Sequence, residues 1–235
     1  MSWSLIAWGD AGWGDELVRG LGVTLALAVL SFVGGLILGT LAGLAEMQLR
    51  LLGRMLAVYA AIMRALPELL VILTVFFGIG PLLRTAGEAL GIGGLGLTPF
   101  WAGTLAIALV IGSYVSEVAK GAVAAVSRGM SEAALALGLT PRRVTWLIVL
   151  PLALRHAWPG FCNLWMVTIK VTPLVSAIQL EDFIRAAGTA GQNTKHYFFF
   201  FGAVLLVYLV LSGISMIIQS RGERRLFRHI RRSVQ

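Results

Sequence analysis

Seven side chains able to bind or move charge lie in stretches of sequence where water is scarce: Arg64, Glu68, Ser113, Tyr114, Glu117, Lys170 and Thr172. An ionisable group at bilayer depth costs about 2.5 to 3.5 kcal/mol on insertion scales, so it normally faces a cavity, a partner or a ligand. Arg64 and Glu68 are four residues apart, which puts them on one face of a helix, and Pro67 between them cannot donate to the helix ladder and bends it. Two readings stay open: a substrate site at a broken helix, or a self-neutralising pair that holds the bend. Ser113, Tyr114, Glu117, Lys120 and Gly121 recur at three- and four-residue spacing as one stripe, with Glu117 and Lys120 placed to neutralise each other. Lys170 has no acid near it in sequence, and Pro159 and Pro173 are expected to interrupt the helix around it. Its counter-charge must come from another helix, another subunit or a ligand, and cavity lining and a structural pair both remain open. Arg155 lies near an interface and is expected to snorkel.

A second kind of chemistry is mechanical. The segment Ser131 to Pro151 is water-compatible in a chain that is mostly lipid-soluble. Glu132, Ala133 and Ala134 suit a helix N-terminus; Leu137 precedes Gly138, a natural break. Thr140 and Pro141 then offer an N-cap and a proline at the first position of a second helix. A polar hairpin between apolar runs needs a partner outside the lipid, unless it is an ordinary helix-turn-helix between spans.

The elements that must carry these residues follow from composition. With 58% hydrophobic and 13% charged residues in 235, the chain falls in the polytopic membrane class, all-α, with no room for a large soluble domain. Runs long enough to cross about 30 Å of hydrocarbon are expected near residues 21–45, 55–80, 99–121, 150–178 and 197–219. Segments on one side hold Arg50, Arg54, Lys120, Arg128, Arg142, Arg143, Arg221, Arg224, Arg225, Arg228, Arg231 and Arg232, whereas the other side holds Arg19, Arg84, Arg185 and Lys195. Twelve against four puts the hairpin and the C-terminus in the cytoplasm and the N-terminus outside, an arrangement that five spans satisfy. The net charge of +8 is thus an orientation signal rather than a nucleic-acid footprint. The chain divides into an interfacial segment 1–20, a five-helix domain 21–219 with a cytoplasmic loop at about 122–149, and a basic tail 220–235.

Trp3, Trp8 and Trp13 read as an interfacial belt, and Gly35, Gly39 and Gly43 as a face that another helix approaches closely. The glycines between Gly91 and Gly96, including Gly93 and Gly94, have no strand before them and read as an external loop. Cys162, the single cysteine, has no internal disulfide partner and reads as a small buried hydrophobe. Asp10, Asp15 and Glu16 replace the positive region of a signal peptide. No Gly-x4-Gly-Lys-Ser/Thr run occurs, so the chain does not hydrolyse ATP through a P-loop. No catalytic group, metal or cofactor is expected.

The spacing Glu132-Ala133-Ala134, three residues, Gly138, nine residues, Ile148, one residue, Leu150-Pro151 resembles the EAA loop of membrane subunits of ATP-binding-cassette importers. Arg64-Ala65-Leu66-Pro67 is similar to the Arg-Gly-x-Pro segment of polar amino-acid permeases in that group. Tyr114-x-x-Glu117-x-x-Lys120-Gly121 is similar to their Tyr-x-x-Glu-x-x-Arg-Gly segment, and Asn163-Leu164-Trp165 with Lys170-x-Thr172 to their fourth-span signature. Over residues 15 to 230 the chain resembles the histidine, octopine and nopaline branch. The resemblance implies a five-span type I importer fold in the bacterial inner membrane, working as a homodimer or with a sister permease subunit. It implies two cytoplasmic ATPase subunits, docked on Glu132, Ala133, Ala134, Leu137, Gly138, Thr140 and Pro141, and a periplasmic solute-binding protein that delivers a polar amino acid or opine. Substrate contacts would then fall on the seven polar residues above. Ala65, Met130, Pro173 and Leu164 depart from the family pattern; Leu164 stands where sister subunits that take cationic side chains carry glutamate. The alternative is a secondary transporter or channel driven by an ion gradient, which would show an internal repeat and give the hairpin no purpose.

Overall fold

A computed structural model describes residues 5–9, 12–92 and 96–226, without the side chains of 225 and 226. Trp3, Asp10, Gly93, Gly94, Arg228, Arg231 and Arg232 lie outside the described residues, as does the Arg225 side chain. The described chain is helical almost throughout. Its elements are α1 (Gly14–Gln48), α2 (Arg50–Ala65), α3 (Glu68–Thr74), α4 (Gly80–Ala89), α5 (Pro99–Ala124), α6 (Arg128–Ala136), α7 (Pro141–Val144), α8 (Leu150–Val171), α9 (Phe183–Thr194) and α10 (Tyr197–Leu226). One π-helical turn, Val75–Ile79, joins α3 to α4; another, Thr145–Val149, joins α7 to α8.

Five stretches are long and apolar enough to cross a membrane: Gly14–Gln48, Glu68–Ala89, Pro99–Ala124, Pro141–Ile178 and Tyr197–Arg224. The count agrees with the sequence, and the bounds differ where sequence signals were weakest. The first helix starts at Gly14 rather than near 21, and the second apolar stretch starts at Glu68 rather than 55. Leu66 and Pro67 are both extended, with ψ 142° and 133°, because proline drives the residue before it out of the helical region. What looked like one bent helix is two helices with a two-residue gap.

α5 is the axis. α1 runs parallel to it along the glycine face: a Cβ at Gly35 would sit 2.9 Å from Ile111 Cγ2, one at Gly43 would sit 2.9 Å from the Ser116 carbonyl oxygen, and one at Gly39 would strike the Gly112 carbonyl. Only hydrogen at these three positions lets the two backbones meet. α8 packs antiparallel on α5, with Gly160 against Val118 at one end and Val175 against Gly103 at the other. α10 packs antiparallel on α8 in turn, from Trp158 beside Gly222 through Trp165 bonded to Ser215. Leu27, Ile72, Ile107, Ile111, Val115, Val175 and Ile178 fill the centre with less than 2% exposure each. Trp13 packs on a second cluster around Leu17, Phe183 and Phe200 instead of standing free.

The bundle has two distinct ends. α6 and α7 form an elbow at one; α9 closes the other. Asp182 caps α9, its Oδ1 accepting from the Arg185 N–H at 2.9 Å, while its Oδ2 is buried without a partner. Beside it the Phe183 N–H donates to Thr24 Oγ1 at 3.1 Å, and Phe183 stacks on Tyr208. Burial pushes the Asp182 carboxyl up to about 6 against the pull of its backbone bond and Arg185. The folded chain therefore keeps a proton that the unfolded chain releases, and Asp182 makes stability fall as pH rises from about 4 through about 6, then level off. Asp182→Asn keeps the cap oxygen and removes the charge. Thermal unfolding in detergent between pH 4 and 7.5 should show this variant more stable than the parent above pH 6, by on the order of 2 kcal/mol, with the difference closing near pH 4. A difference independent of pH would contradict the assignment.

Candidate functional site: a charge network, a broken span and an elbow

Four ionisable groups from α1, α2 and α5 form a closed set. Arg64 Nη1 lies 3.0 Å from Glu117 Oε1, and the same nitrogen donates to the Ser113 carbonyl at 3.1 Å. Lys120 Nζ lies 2.8 Å from that Glu117 oxygen and also pairs with Glu46 Oε2. Two cations and two anions from α1, α2 and α5 thus neutralise one another. The expected Arg64–Glu68 pair does not form, because the extended Leu66–Pro67 gap destroys the i, i+4 geometry and turns Arg64 to α5. Lys120 bridges two acids and is more than an interfacial anchor. Glu46 escaped the sequence reading; an acid in the last turn of an apolar helix, three residues past the glycine face, was its only signal.

The other candidates divide into spent and free. Ser113 is fully buried and donates back to the Val110 carbonyl at 2.6 Å. Thr172 is fully buried too, donating to the Ile169 carbonyl at 2.8 Å with its oxygen 3.5 Å from Tyr208 Oη. Tyr114 is half-buried against the central core. Glu68, half-buried in the first turn of α3, and Lys170, exposed near the end of α8, have no ion-pair partner among the described residues. α3, which carries Glu68, packs on the 3-10 turn Thr172–Ile178 that starts two residues after Lys170. Pro159 does not interrupt α8, which runs through it. The change at Thr172–Pro173 does, ending at Gln179 with φ 65°.

The elbow is built by backbone chemistry. α6 ends in a Schellman motif: Gly138, at φ +85°, donates to Leu135, and Leu139 donates to Ala134, satisfying carbonyls the helix leaves over. Pro141 is at the first position of α7, as expected. Two details differ from expectation. Glu132 falls in the second turn of α6, not at its start, and Thr140 caps α7 through its carbonyl, which accepts from Val144 at 3.0 Å, with no side-chain bond. Ala134 is buried, Ala133 and Glu132 are exposed, and Leu137 at the apex is 85% exposed.

Five apolar spans among the described residues, with an elbow that carries an exposed leucine at its apex, define a polytopic membrane protein. The chain belongs to the family described as the inner membrane component of binding-protein-dependent transport systems, which matches residues 35–228. It is 41% identical to the nopaline transport system permease protein NocQ of Agrobacterium fabrum, over 92% of each chain. It is 37% identical to the histidine/lysine/arginine/ornithine permease HisQ of Escherichia coli, over 87% of this chain and 90% of that one. Identity to the octopine permease OccQ of Rhizobium meliloti is 35%, over 98% of both. Among solved structures, an amino acid ABC transporter crystallised with histidines superposes with a TM-score of 0.77 at 25% identity, covering 91% of this chain and 95% of that one. The MetNI methionine transporter shares the fold, with a TM-score of 0.70 at 19% identity over 91% and 97%. The fold is that of type I importer permeases, and the chain is a multi-pass inner-membrane permease subunit.

The network makes a measurable claim. Glu46 has only 6% of its side chain exposed, so Lys120→Met should leave a buried unpaired carboxylate and lower unfolding stability by about 3 kcal/mol. Glu46→Gln combined with Lys120→Met should recover much of that loss in thermal melts of the assembled transporter. A double variant no better than the sum of its parts would show the pair to be uncoupled.

Proposed function

We propose that this chain forms half of the translocation path of an ATP-driven importer for polar amino acids or opines, with the elbow end in the cytoplasm. The other half is a second copy or a sister permease, two cytoplasmic ATPase subunits supply the energy, and a periplasmic binding protein delivers the solute. The observation that carries the reading is Leu137. A leucine 85% exposed at the tip of a rigid elbow outside the spans is a docking knob awaiting a groove. The named substrates of the relatives, nopaline, octopine and the basic amino acids, support the solute class.

ATP binding draws the ATPase subunits together, α6 moves with them, and α7 and the π turn Thr145–Val149 pass the displacement into α8. The Leu66–Pro67 gap and the Thr172–Pro173 turn are the points where the spans change angle, because neither carries a continuous helix ladder there. The solute's carboxylate meets Lys170 and its cationic group meets Glu68, neither of which has an ion-pair partner among the described residues. Arg64, Glu117, Ser113, Tyr114 and Thr172 hold the walls around them.

In vesicles containing the whole transporter, Gly138→Val should cut binding-protein-stimulated ATPase and uptake together, since a branched residue resists φ +85°. Glu68→Gln and Lys170→Gln should instead lower uptake by about tenfold or more while ATP binding persists, the size that follows loss of a charged contact. Unchanged uptake in all three variants would sink the proposal.

A further inference from the structure

A cleft of about 450 Å³ lies between α1, α8 and α10, apart from the charge network and the broken span. It runs from Ile169 and Leu211 at its deep end to Trp158 and Gln219 near the elbow end. Eleven residues of α8 separate Ile169 from Trp158, about 16 Å of helix, which matches the roughly 15 Å depth of one leaflet's hydrocarbon. Of its polar lining groups, the Trp158 indole N–H at the elbow end is buried without a hydrogen-bond partner among the described residues, while those deeper in the cleft are engaged inside the protein. The Trp165 indole N–H donates to Ser215 Oγ at 3.0 Å, Ser215 donates to the Leu211 carbonyl at 2.8 Å, and the Gln219 amide donates to Glu223 at 3.2 Å. A polar solute would find little to bond along this wall; hydrocarbon loses nothing there. The neighbouring face of α10, with Leu205, Leu206, Leu209 and Val210 exposed, is apolar as well.

The mouth at the elbow end has a different character. Arg155 stands three residues below Trp158 on α8, and Arg221 and Arg224 follow Gln219 on α10. Glu223, the acid at that level, is held by Gln219. Trp158 lies flat against Gly222, where a Cβ would come within 2.6 Å of the indole, so the glycine lets the aromatic ring seal α8 to α10 directly beneath the cleft. An apolar slot of one leaflet's depth, with three arginines within about a turn and a half beyond its elbow end on α8 and α10, has the charge and dimensions of an anionic glycerophospholipid. We propose that this cleft binds such a lipid, one acyl chain between α8 and α10 and the phosphate at Arg155, Arg221 and Arg224. The lipid would wedge α10 against α8, giving the outermost span a packing partner that the protein itself does not provide.

The test uses the complete transporter in nanodiscs doped with phosphatidylglycerol or phosphatidylcholine carrying a diazirine in the acyl chain, followed by peptide mapping. Adducts should concentrate on residues 158–169 and 211–219, favouring phosphatidylglycerol by about fivefold or more, the order that one well-placed arginine contributes. Arg221→Gln with Arg224→Gln should erase the headgroup preference and keep some adducts, whereas Leu211→Trp should fill the slot and remove them. The double arginine variant leaves the packed interior untouched, so it remains informative if the tryptophan variant misfolds. Adducts spread evenly over all outward faces with no headgroup preference would mean annular lipid only and overturn the proposal. A cleft free of adducts, with α10 cross-linking to a second permease subunit, would overturn it by showing a protein occupant.

Discussion

Charge in a low-dielectric environment has to be cancelled locally, and that constraint organises this molecule. Arg64, Glu117, Lys120 and Glu46 cancel one another across three helices, and their pairing fixes α1 and α2 against α5. Because Arg64 is committed to Glu117, Glu68 is left without it, and Lys170 too has no ion-pair partner among the described residues. In the function proposed above, the charges of a polar solute meet Glu68 and Lys170.

The same economy governs the backbone. A membrane helix interrupts its ladder only where the freed groups find partners or water. The 3-10 turn at Thr172–Ile178 packs against α3, the helix that follows the gap, while Leu66 and Pro67 themselves are exposed on the outside of the described chain. The glycine seam between α1 and α5 is the rigid counterpart: with hydrogens in place of side chains, the two backbones lock. In the proposed mechanism this stiff pair is the frame, and the elbow acts through α8 on the interrupted helices.

Much of this was legible in the sequence. Five spans, the glycine face, the Glu117–Lys120 pair, the break at Gly138 and the proline opening α7 each depend on residues close in the chain, where periodicity and capping rules act. The failures were of two physical kinds. Glu46 pairs with a lysine 74 residues away, and no local pattern reports such a partner; Asp182, Thr24 and Tyr208 likewise converge from separate helices. The other kind is the local effect of proline. Pro67 opened a full gap because it forced Leu66 into an extended conformation, whereas Pro159 was absorbed by α8, and nothing in either sequence neighbourhood distinguishes the two. Ser113 and Thr172 are expected among the substrate contacts; each hydroxyl donates to a carbonyl of its own chain segment, the usual resting place of a buried hydroxyl, a local bond that the sequence reading did not include.

The central claim is that α6 and its apex are driven by a separate ATPase. The most direct measurement places a cysteine at Leu137, in a background with Cys162→Ala, and asks whether it forms a disulfide with cysteines along the groove of the ATPase subunit in the assembled transporter. A specific cross-link whose yield changes between nucleotide-free and ATP-bound states is the predicted result. A Leu137→Cys thiol that remains freely labelled by a membrane-impermeant maleimide in the intact complex, with no cross-link in either state, would contradict it.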